Sequence, residues 1–449
     1  RYTGGEWGQT IKDKNAVDVR FAFCFPDNYE IGMSNLGIRI LYGVLNNEEN
    51  VWCERAYAPW PDMEEKMREY GITLYAHESG DPLSDFDIVG FTLQYELCYT
   101  NVLNMLELGG IPLLASERGE NDPIIIGGGP CAYNAEPIAD FFDVLDIGEG
   151  EAMLPRFTRM YAKMKREGAS RAEILRATSH LDGFYVPALY EVEYGADGTI
   201  SSFEPKYDDI PRTVQKQIIA DLDSVYFPDK FVMPYIETVH DRIVPEVYRG
   251  CIRGCRFCQA GMIYRPVREK SPDVLDAQCR RLYENTGFDE ISLCSLSISD
   301  YSRLGELTDK LLSWTDDKKV SLSLPSLRVD SFTKELMEKI STVRTSGITF
   351  APEAGTQRMR DVINKNVHEE ELLRACANAF ECGKNQVKLY FMDGLPTETR
   401  EDVEGIAKLA KTVVDSYYSN PNVKRGKSPQ VTISVACFIP KPFTPFQWE

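Results

Sequence analysis

Three cysteines, Cys251, Cys255 and Cys258, fall within the eight-residue stretch Cys251-Ile252-Arg253-Gly254-Cys255-Arg256-Phe257-Cys258. Three thiolates from one loop can ligate three irons of a four-iron, four-sulfur cluster and leave the fourth iron without a protein ligand, free for a chelating small molecule. A structural zinc site would want four ligands, normally as two separated pairs. No second pair follows, and His240 is the nearest histidine. Zinc and chance clustering stand as the lesser alternatives. The other nine of the twelve cysteines lie singly, mostly in apolar patterns, where a small buried side chain is the simpler reading. So many thiols in a chain this long fit a reducing compartment better than a disulfide framework, and the expected location is cytoplasmic.

Such a loop needs a scaffold that holds it open at one end. Residues 244–249, 290–294, 320–324, 347–350, 386–391 and 430–437 read as strands, with helical stretches between them. The clearest helix starts at Ser271-Pro272, a cap followed by Pro at the first helical position, and ends by Gly287; another runs from about Glu369 to Cys382 and stops at Gly383. Six βα units predict a partial (βα)6 barrel, whose chemistry sits at the carboxyl ends of the strands. The cysteine loop follows the first of them.

Earlier in the chain, apolar runs at 19–23, 86–91 and 123–126 alternate with helical periodicity, which argues for an α/β, doubly wound Rossmann-like domain. Residues 151–243 begin with amphipathic helices. They continue into 188–203, where Gly195-Ala196-Asp197-Gly198 separates two alternating runs as in a β-hairpin. The expected organisation is an extension at 1–16, the Rossmann-like domain at 17–150, a bridging segment at 151–243 and the barrel at 244–449. Because the sequence stops directly after the sixth unit, a further C-terminal domain is expected to be missing.

The three-then-two spacing, with an aromatic residue just before the third cysteine, resembles the cluster-binding loop of the radical S-adenosylmethionine superfamily. That resemblance implies a 4Fe-4S cluster on Cys251, Cys255 and Cys258 that cleaves S-adenosylmethionine reductively to a 5′-deoxyadenosyl radical. It also implies roles for other positions. Phe257 would pack near the adenine. Ser295 and Ser297, in Cys294-Ser295-Leu296-Ser297-Ile298-Ser299-Asp300, stand where the family usually has a Gly-Gly-Glu motif for the amino group, and Asp300 reads equally as a helix cap. In the stretch Ala351-Pro352-Glu353-Ala354-Gly355-Thr356-Gln357-Arg358, Glu353 would accept from ribose hydroxyls and Arg358 would pair with the methionine carboxylate. Gly394, in a loop similar to the family's Gly-Leu-Pro-x-Glu-Thr, would let backbone approach the adenine. Phe438-Ile439-Pro440-Lys441-Pro442 is also typical of the superfamily. Arg249, Arg253, Arg256, Arg265 and Arg268 gather near the site and would offset the negative cluster rather than bind phosphate.

The first domain, with Gly127-Gly128-Gly129-Pro130 and Asp146-Ile147-Gly148-Glu149-Gly150-Glu151, resembles the cobalamin-binding domains attached to some of these enzymes. Such domains supply a cobalt-ligating histidine from an Asp-x-His-x-x-Gly loop. Here the loop is Asp27-Asn28-Tyr29-Glu30-Ile31-Gly32, with Tyr29 at the histidine position, and a neutral phenol is a poor substitute for imidazole. Cobalamin without a lower protein ligand, a relic fold serving as a platform, and a fold binding something else all remain open.

These features point to a radical enzyme that functionalises a C–H bond of an unknown substrate, with methyl or sulfur-group transfer as candidates and a reductant such as ferredoxin or flavodoxin. Two alternatives from other classes are a non-catalytic iron-sulfur protein for redox sensing or assembly, and a zinc-stabilised binding module. The 449 residues carry 69 Asp plus Glu against 50 Lys plus Arg, a net charge of −19, which disfavours a nucleic-acid partner. No stretch approaches the roughly 20 apolar residues of a membrane span.

Overall fold

A computed structural model describes residues 1–325, 328, 348–424 and 426–449. It divides into two units, Arg1–Ala220 with Ser224–Asp241, and Asp221–Asp223 with Arg242–Glu449.

The first unit is built on strands β1 (Val19–Phe25), β2 (Val51–Tyr57), β3 (Ile88–Thr92), β4 (Ile124–Gly128), β5 (Val144–Asp146) and β6 (Phe184–Tyr185). Their order is β2-β1-β3-β4-β5-β6, the first five parallel and β6 antiparallel at the edge. Every residue of β1 and β2 is buried, as in a parallel sheet covered on both faces. The pleat sends alternate residues of β1 to opposite sides. Ala22 and Cys24 join a core with Val102, Met105 and Leu106 of helix Tyr99–Leu108. Phe21 and Phe23 join Leu45 of helix Leu36–Asn46 and Phe157 of helix Gly150–Arg166. This is the doubly wound layout, and its strand order reverses beside β1, between β1 and β3, where folds of this kind bind ligands.

β2 escapes a reading of apolar runs because Glu54 and Arg55 lie inside it. Both are buried and paired: Arg20 contacts Glu54 at 2.5 Å, while Arg55 contacts Glu78 at 2.7 Å and Glu6 at 3.0 Å. The N-terminal extension takes part in this interior. Besides Glu6, it brings Lys12, whose Nζ donates to the carbonyl oxygens of Asn46, Glu48 and Val51 at 2.9, 2.7 and 2.6 Å, where a helix end leaves acceptors unsatisfied.

The expected bridge at 151–243 takes a different form. Its first helix buries Met153, Leu154 and Phe157 against the first sheet, and Phe184 and Tyr185 add the edge strand, so most of the segment completes the first unit. The hairpin is present as β7 (Tyr190–Tyr194) and β8 (Ile200–Pro205), antiparallel, with Gly195 N donating to Thr199 O at 2.7 Å.

The second unit is the partial (βα)6 barrel. Its first strand is short: β9 (Tyr248–Arg249) pairs antiparallel with β10 (Arg268–Glu269), while Ile243 and Glu246 bridge in parallel to Ile291 and Cys294. Pro245 lacks the N–H that a longer ladder would require. Strands β11 (Glu290–Ser292) and β12 (Ser321–Ser323) are parallel, as are β13 (Ile348–Glu353), β14 (Gln386–Asp393) and β15 (Gln430–Cys437). Gly347 and the helical stretch expected between the third and fourth strands lie outside the described residues. The helix Pro272–Thr286 is capped by Ser271 and ends at Gly287 with φ 71°, and helix Glu369–Glu381 ends shortly before Gly383 with φ 81°. Among the described residues, no helix is long and apolar enough to cross a membrane.

Replacing Arg55 by Met would leave Glu6 and Glu78 buried without their cation. The variant should lose about 3–5 kcal/mol, measured by chemical denaturation against the parent protein.

Candidate active site at the cysteine loop

The cysteine loop leaves β9 through Gly250, whose φ is 90°. A Cβ there would lie 2.7 Å from the Pro266 carbonyl oxygen and 2.8 Å from that of Tyr264, so only glycine admits this turn. Cys251, Cys255 and Cys258 are each partly buried and carry free thiols. Burial raises the Cys255 pKa, Lys365 and Arg328 oppose the rise, and the Cys258 and Cys251 thiols add to it, so the three sulfurs share one electrostatic neighbourhood. Among the described residues, no group of three or more His, Cys, Asp or Glu side chains is placed to hold a single metal ion. Three thiols on three separate irons need no such common point.

Two neighbouring segments grip the loop. On one side, the Arg253 guanidinium forms a two-pronged pair with Asp300, its Nε donating to Oδ2 at 2.9 Å, and so joins the cysteine spacer to the turn after β11. Asp300 caps no helix. Hydrogen bonds from Arg253 and Ser297 hold its carboxyl below the usual range against the opposing effect of burial. On the other side, Arg256 N donates to Ile363 O at 3.0 Å, Arg256 Nη1 to Val362 O at 2.6 Å, and Asn364 Nδ2 to Gly254 O at 2.8 Å. Beneath these contacts, Phe257 packs with Ala354, Met359, Ile363, Leu395, Phe438 and Phe446, so that the cysteine loop and the loops after β13, β14 and β15 share a small apolar core. Phe257 is thus a packing residue.

Ser295 and Ser297 are drawn to the same place. Their hydroxyl oxygens are buried, beside the Tyr248 phenol and, for Ser297, the Asp300 carboxyl. They lie beside Tyr248, whose phenol donates to Ser297 O. Burial first, and then Asp300 and Cys251, push that phenol up to about 12, partly offset by Ser295 and Ser297.

Glu353 ends β13 with φ 68°, a left-handed conformation that is uncommon for a residue with a side chain, and accepts from Lys365 Nζ at 3.0 Å. Arg358 already contacts protein groups. Its guanidinium is engaged by Asp402 and donates to Thr397 O at 2.9 Å, which braces the loop after β13 against the loop after β14. Asp402 also accepts from Thr399 N at 2.9 Å; burial alone would raise its pKa, but these donors hold it well below the carboxylate range. Gly394 has φ 74° and nothing within 4 Å of an added Cβ, so its backbone faces open space.

The basic residues near the loop already have protein partners. Arg249 pairs with Glu246 at 2.9 Å, Arg253 with Asp300, and Arg268 Nε donates to Pro266 O at 3.1 Å. These three offset local carboxylates and carbonyls. Sequence reasoning missed Asn364 and Lys365. The signal was the Asn-Lys-Asn run, since asparagine tolerates the left-handed turn adopted by Asn364 at φ 54° and Asn366 at φ 51°.

In the first unit, the residue at the expected cobalt-ligand position faces inward. Tyr29 is 2% exposed, stacks on His77 with ring centroids 5.6 Å apart, and donates its hydroxyl to Glu6 at 2.8 Å. Burial, the Glu6 charge and that hydrogen bond all raise the phenol pKa. A phenol so committed does not fit the role of a lower ligand. At the strand-order reversal, Tyr95 after β3 donates to Asp27 Oδ2 after β1 at 3.0 Å.

Comparison with known proteins covers both units. Residues 37–187 match a model described as the N-terminal region of radical SAM proteins, and residues 246–410 match that of the radical SAM superfamily. An uncharacterised protein of Methanocaldococcus jannaschii is 29% identical over 434 residues, 95% of this chain and 79% of that protein. Among solved structures, the radical S-adenosylmethionine methyltransferase TsrM of Kitasatospora setae, with cobalamin and a 4Fe-4S cluster bound, has a TM-score of 0.58 at 12% identity over 95% of this chain and 77% of that one. OxsB, a cobalamin-dependent S-adenosylmethionine radical enzyme, has a TM-score of 0.56 at 13% identity, over 93% and 53%. At these identities the two likenesses speak for the fold alone.

The crowding at Gly250 yields a direct test. Gly250→Ala should lower the iron retained per chain after anaerobic reconstitution several-fold while circular dichroism stays close to that of the parent; undiminished iron would show that the turn tolerates a side chain.

Proposed function

Because the chain belongs to the radical SAM superfamily, we propose that Cys251, Cys255 and Cys258 hold its 4Fe-4S cluster and that the surrounding strand-end loops bind S-adenosylmethionine against the open iron. The observation that carries this reading is three partly buried thiols in one loop, within each other's field, at the mouth of the barrel. The residues present fit the group. They offer three thiols in one loop and the buried hydroxyls of Ser295 and Ser297 close to it. When bound, the cluster supplies the electron that cleaves S-adenosylmethionine reductively to methionine and a 5′-deoxyadenosyl radical.

The chain's own residues bind, orient and exclude water. Ser295 and Ser297 accept hydrogen bonds from the amino group of S-adenosylmethionine, in place of an acidic residue. Glu353 accepts from the ribose hydroxyls while Lys365 fixes its carboxylate. The open backbone at Gly394 lets the adenine approach, and Phe257 ties the cysteine loop to these loops through their shared apolar core. Arg358 braces two loops and leaves the methionine carboxylate to another group.

This enzyme needs a substrate and a reductant. We propose C–H functionalisation of a bulky substrate, with methyl and sulfur-group transfer as the candidate reactions. Ferredoxin or flavodoxin would deliver the electron, and the free thiols suit the cytoplasm. Reconstituted protein with dithionite should convert S-adenosylmethionine to 5′-deoxyadenosine, and Cys255→Ala should abolish the conversion. Cleavage surviving in that variant overturns the cluster assignment. Cluster absorbance without any cleavage by the parent protein would instead favour a redox-sensing or assembly role.

The likeness of fold also makes cobalamin a candidate ligand of the first unit, bound without a cobalt ligand from position 29. Hydroxocobalamin titrated into the parent and into Tyr29→Phe should give the same absorption spectrum, while the variant alone loses stability. A spectral difference between the two would return Tyr29 to the metal.

A further inference from the structure

Resting on the cluster reading above, we propose that the turn at 363–367 is a positioning element for the iron-sulfur centre, in which Asn364 pins the peptide between the first two cysteines and Lys365 holds a positive charge beside the second.

Three contacts place residues 362–364 against the cysteine loop, and a fourth supports the turn itself. Ile363 O accepts from Arg256 N at 3.0 Å, and Val362 O accepts from Arg256 Nη1 at 2.6 Å. Asn364 Nδ2 donates to Gly254 O at 2.8 Å, and its approach is so close that a Cβ on Gly254 would lie 3.0 Å from that nitrogen. Arg328 Nη2 donates to Asn366 O at 3.2 Å and supports the turn from behind. The backbone follows from these contacts. Asn364 and Asn366 both take left-handed conformations, at φ 54° and 51°, and the residue between them is thereby presented as a knuckle.

That residue is Lys365. Its side chain is largely buried, and its Nζ contacts Glu353 Oε1 at 3.0 Å. It follows directly on Asn364, whose amide bonds the peptide just before Cys255, so its charge is carried close to that ligand. A cluster with three thiolate ligands is anionic and becomes more so on reduction, so a fixed cation beside one ligand stabilises the reduced state more than the oxidised one. The Glu353 carboxylate partly offsets that cation. Removing Lys365 would therefore withdraw the positive charge and expose the negative one. The same ion pair links this turn to the strand end proposed for the ribose.

The test uses the full chain, reconstituted anaerobically with iron and sulfide, and reads iron per chain together with the midpoint potential from a redox titration followed by electron paramagnetic resonance. Asn364→Ala should retain several-fold less iron than the parent at matched circular dichroism. Lys365→Met should keep its iron but show a potential shifted to lower values, and Lys365→Arg should restore it. Iron retention equal to the parent's in the first variant, or an unmoved potential in the second, overturns the proposal. Should Asn364→Ala fail to fold, the two lysine variants decide it. A parent protein that holds no cluster at all overturns the functional reading itself, and this inference with it.

Discussion

The residues from Cys251 to Cys258 form neither helix nor strand, so their backbone polar groups and their shape must be secured by other parts of the chain. The barrel meets this demand by surrounding the loop with strand-end segments. The turn after β11 supplies Asp300, the turn at 363–367 supplies carbonyls and an amide, and Phe257 shares an apolar core with the loops after β13, β14 and β15. A loop held in this way keeps its three thiols partly buried and its backbone in one arrangement. The ordering cost is met by the fold rather than by the ligand.

The outline of this arrangement was legible in the sequence because it depends on local signals. The cysteine spacing marked the loop, Ser271-Pro272 and Gly287 bounded a helix, and the 430–437 run coincides with β15. What escaped depends on partners distant in sequence. β2 carries Glu54 and Arg55, whose charges break an apolar run; only Arg20, Glu78 and Glu6 neutralise them, and pattern reading cannot see across such separations. Arg358 looked like an anion binder because Asp402, 44 residues onward, was invisible as its partner. Asn364 and Lys365 gave only a hint of a turn, with nothing to say which loop the turn would meet.

The first unit shows the same dependence in reverse. Its strand order and two-sided core are those of a doubly wound ligand-binding fold, yet at the position expected to reach outward the chain has invested in its interior. Tyr29, His77, Glu6, Arg55 and Glu78 form one buried polar cluster, with the N-terminal extension providing one of its two acidic members. In such a setting one residue type decides whether a loop serves a ligand or the core: imidazole could donate electrons to a metal, whereas this phenol is spent on a carboxylate.

The ion pair between Arg253 and Asp300 has a bearing on how the motif can change over evolutionary time. Arg253 is one of the spacer residues that a consensus pattern would write as unspecified, but its partner lies in the turn after β11, well outside the motif. The spacer thus records the identity of its host barrel. Grafting these eight residues into a related scaffold that lacks the acidic partner would carry over the ligands without the lock that keeps them in place, so lineages are expected to exchange both segments together or neither.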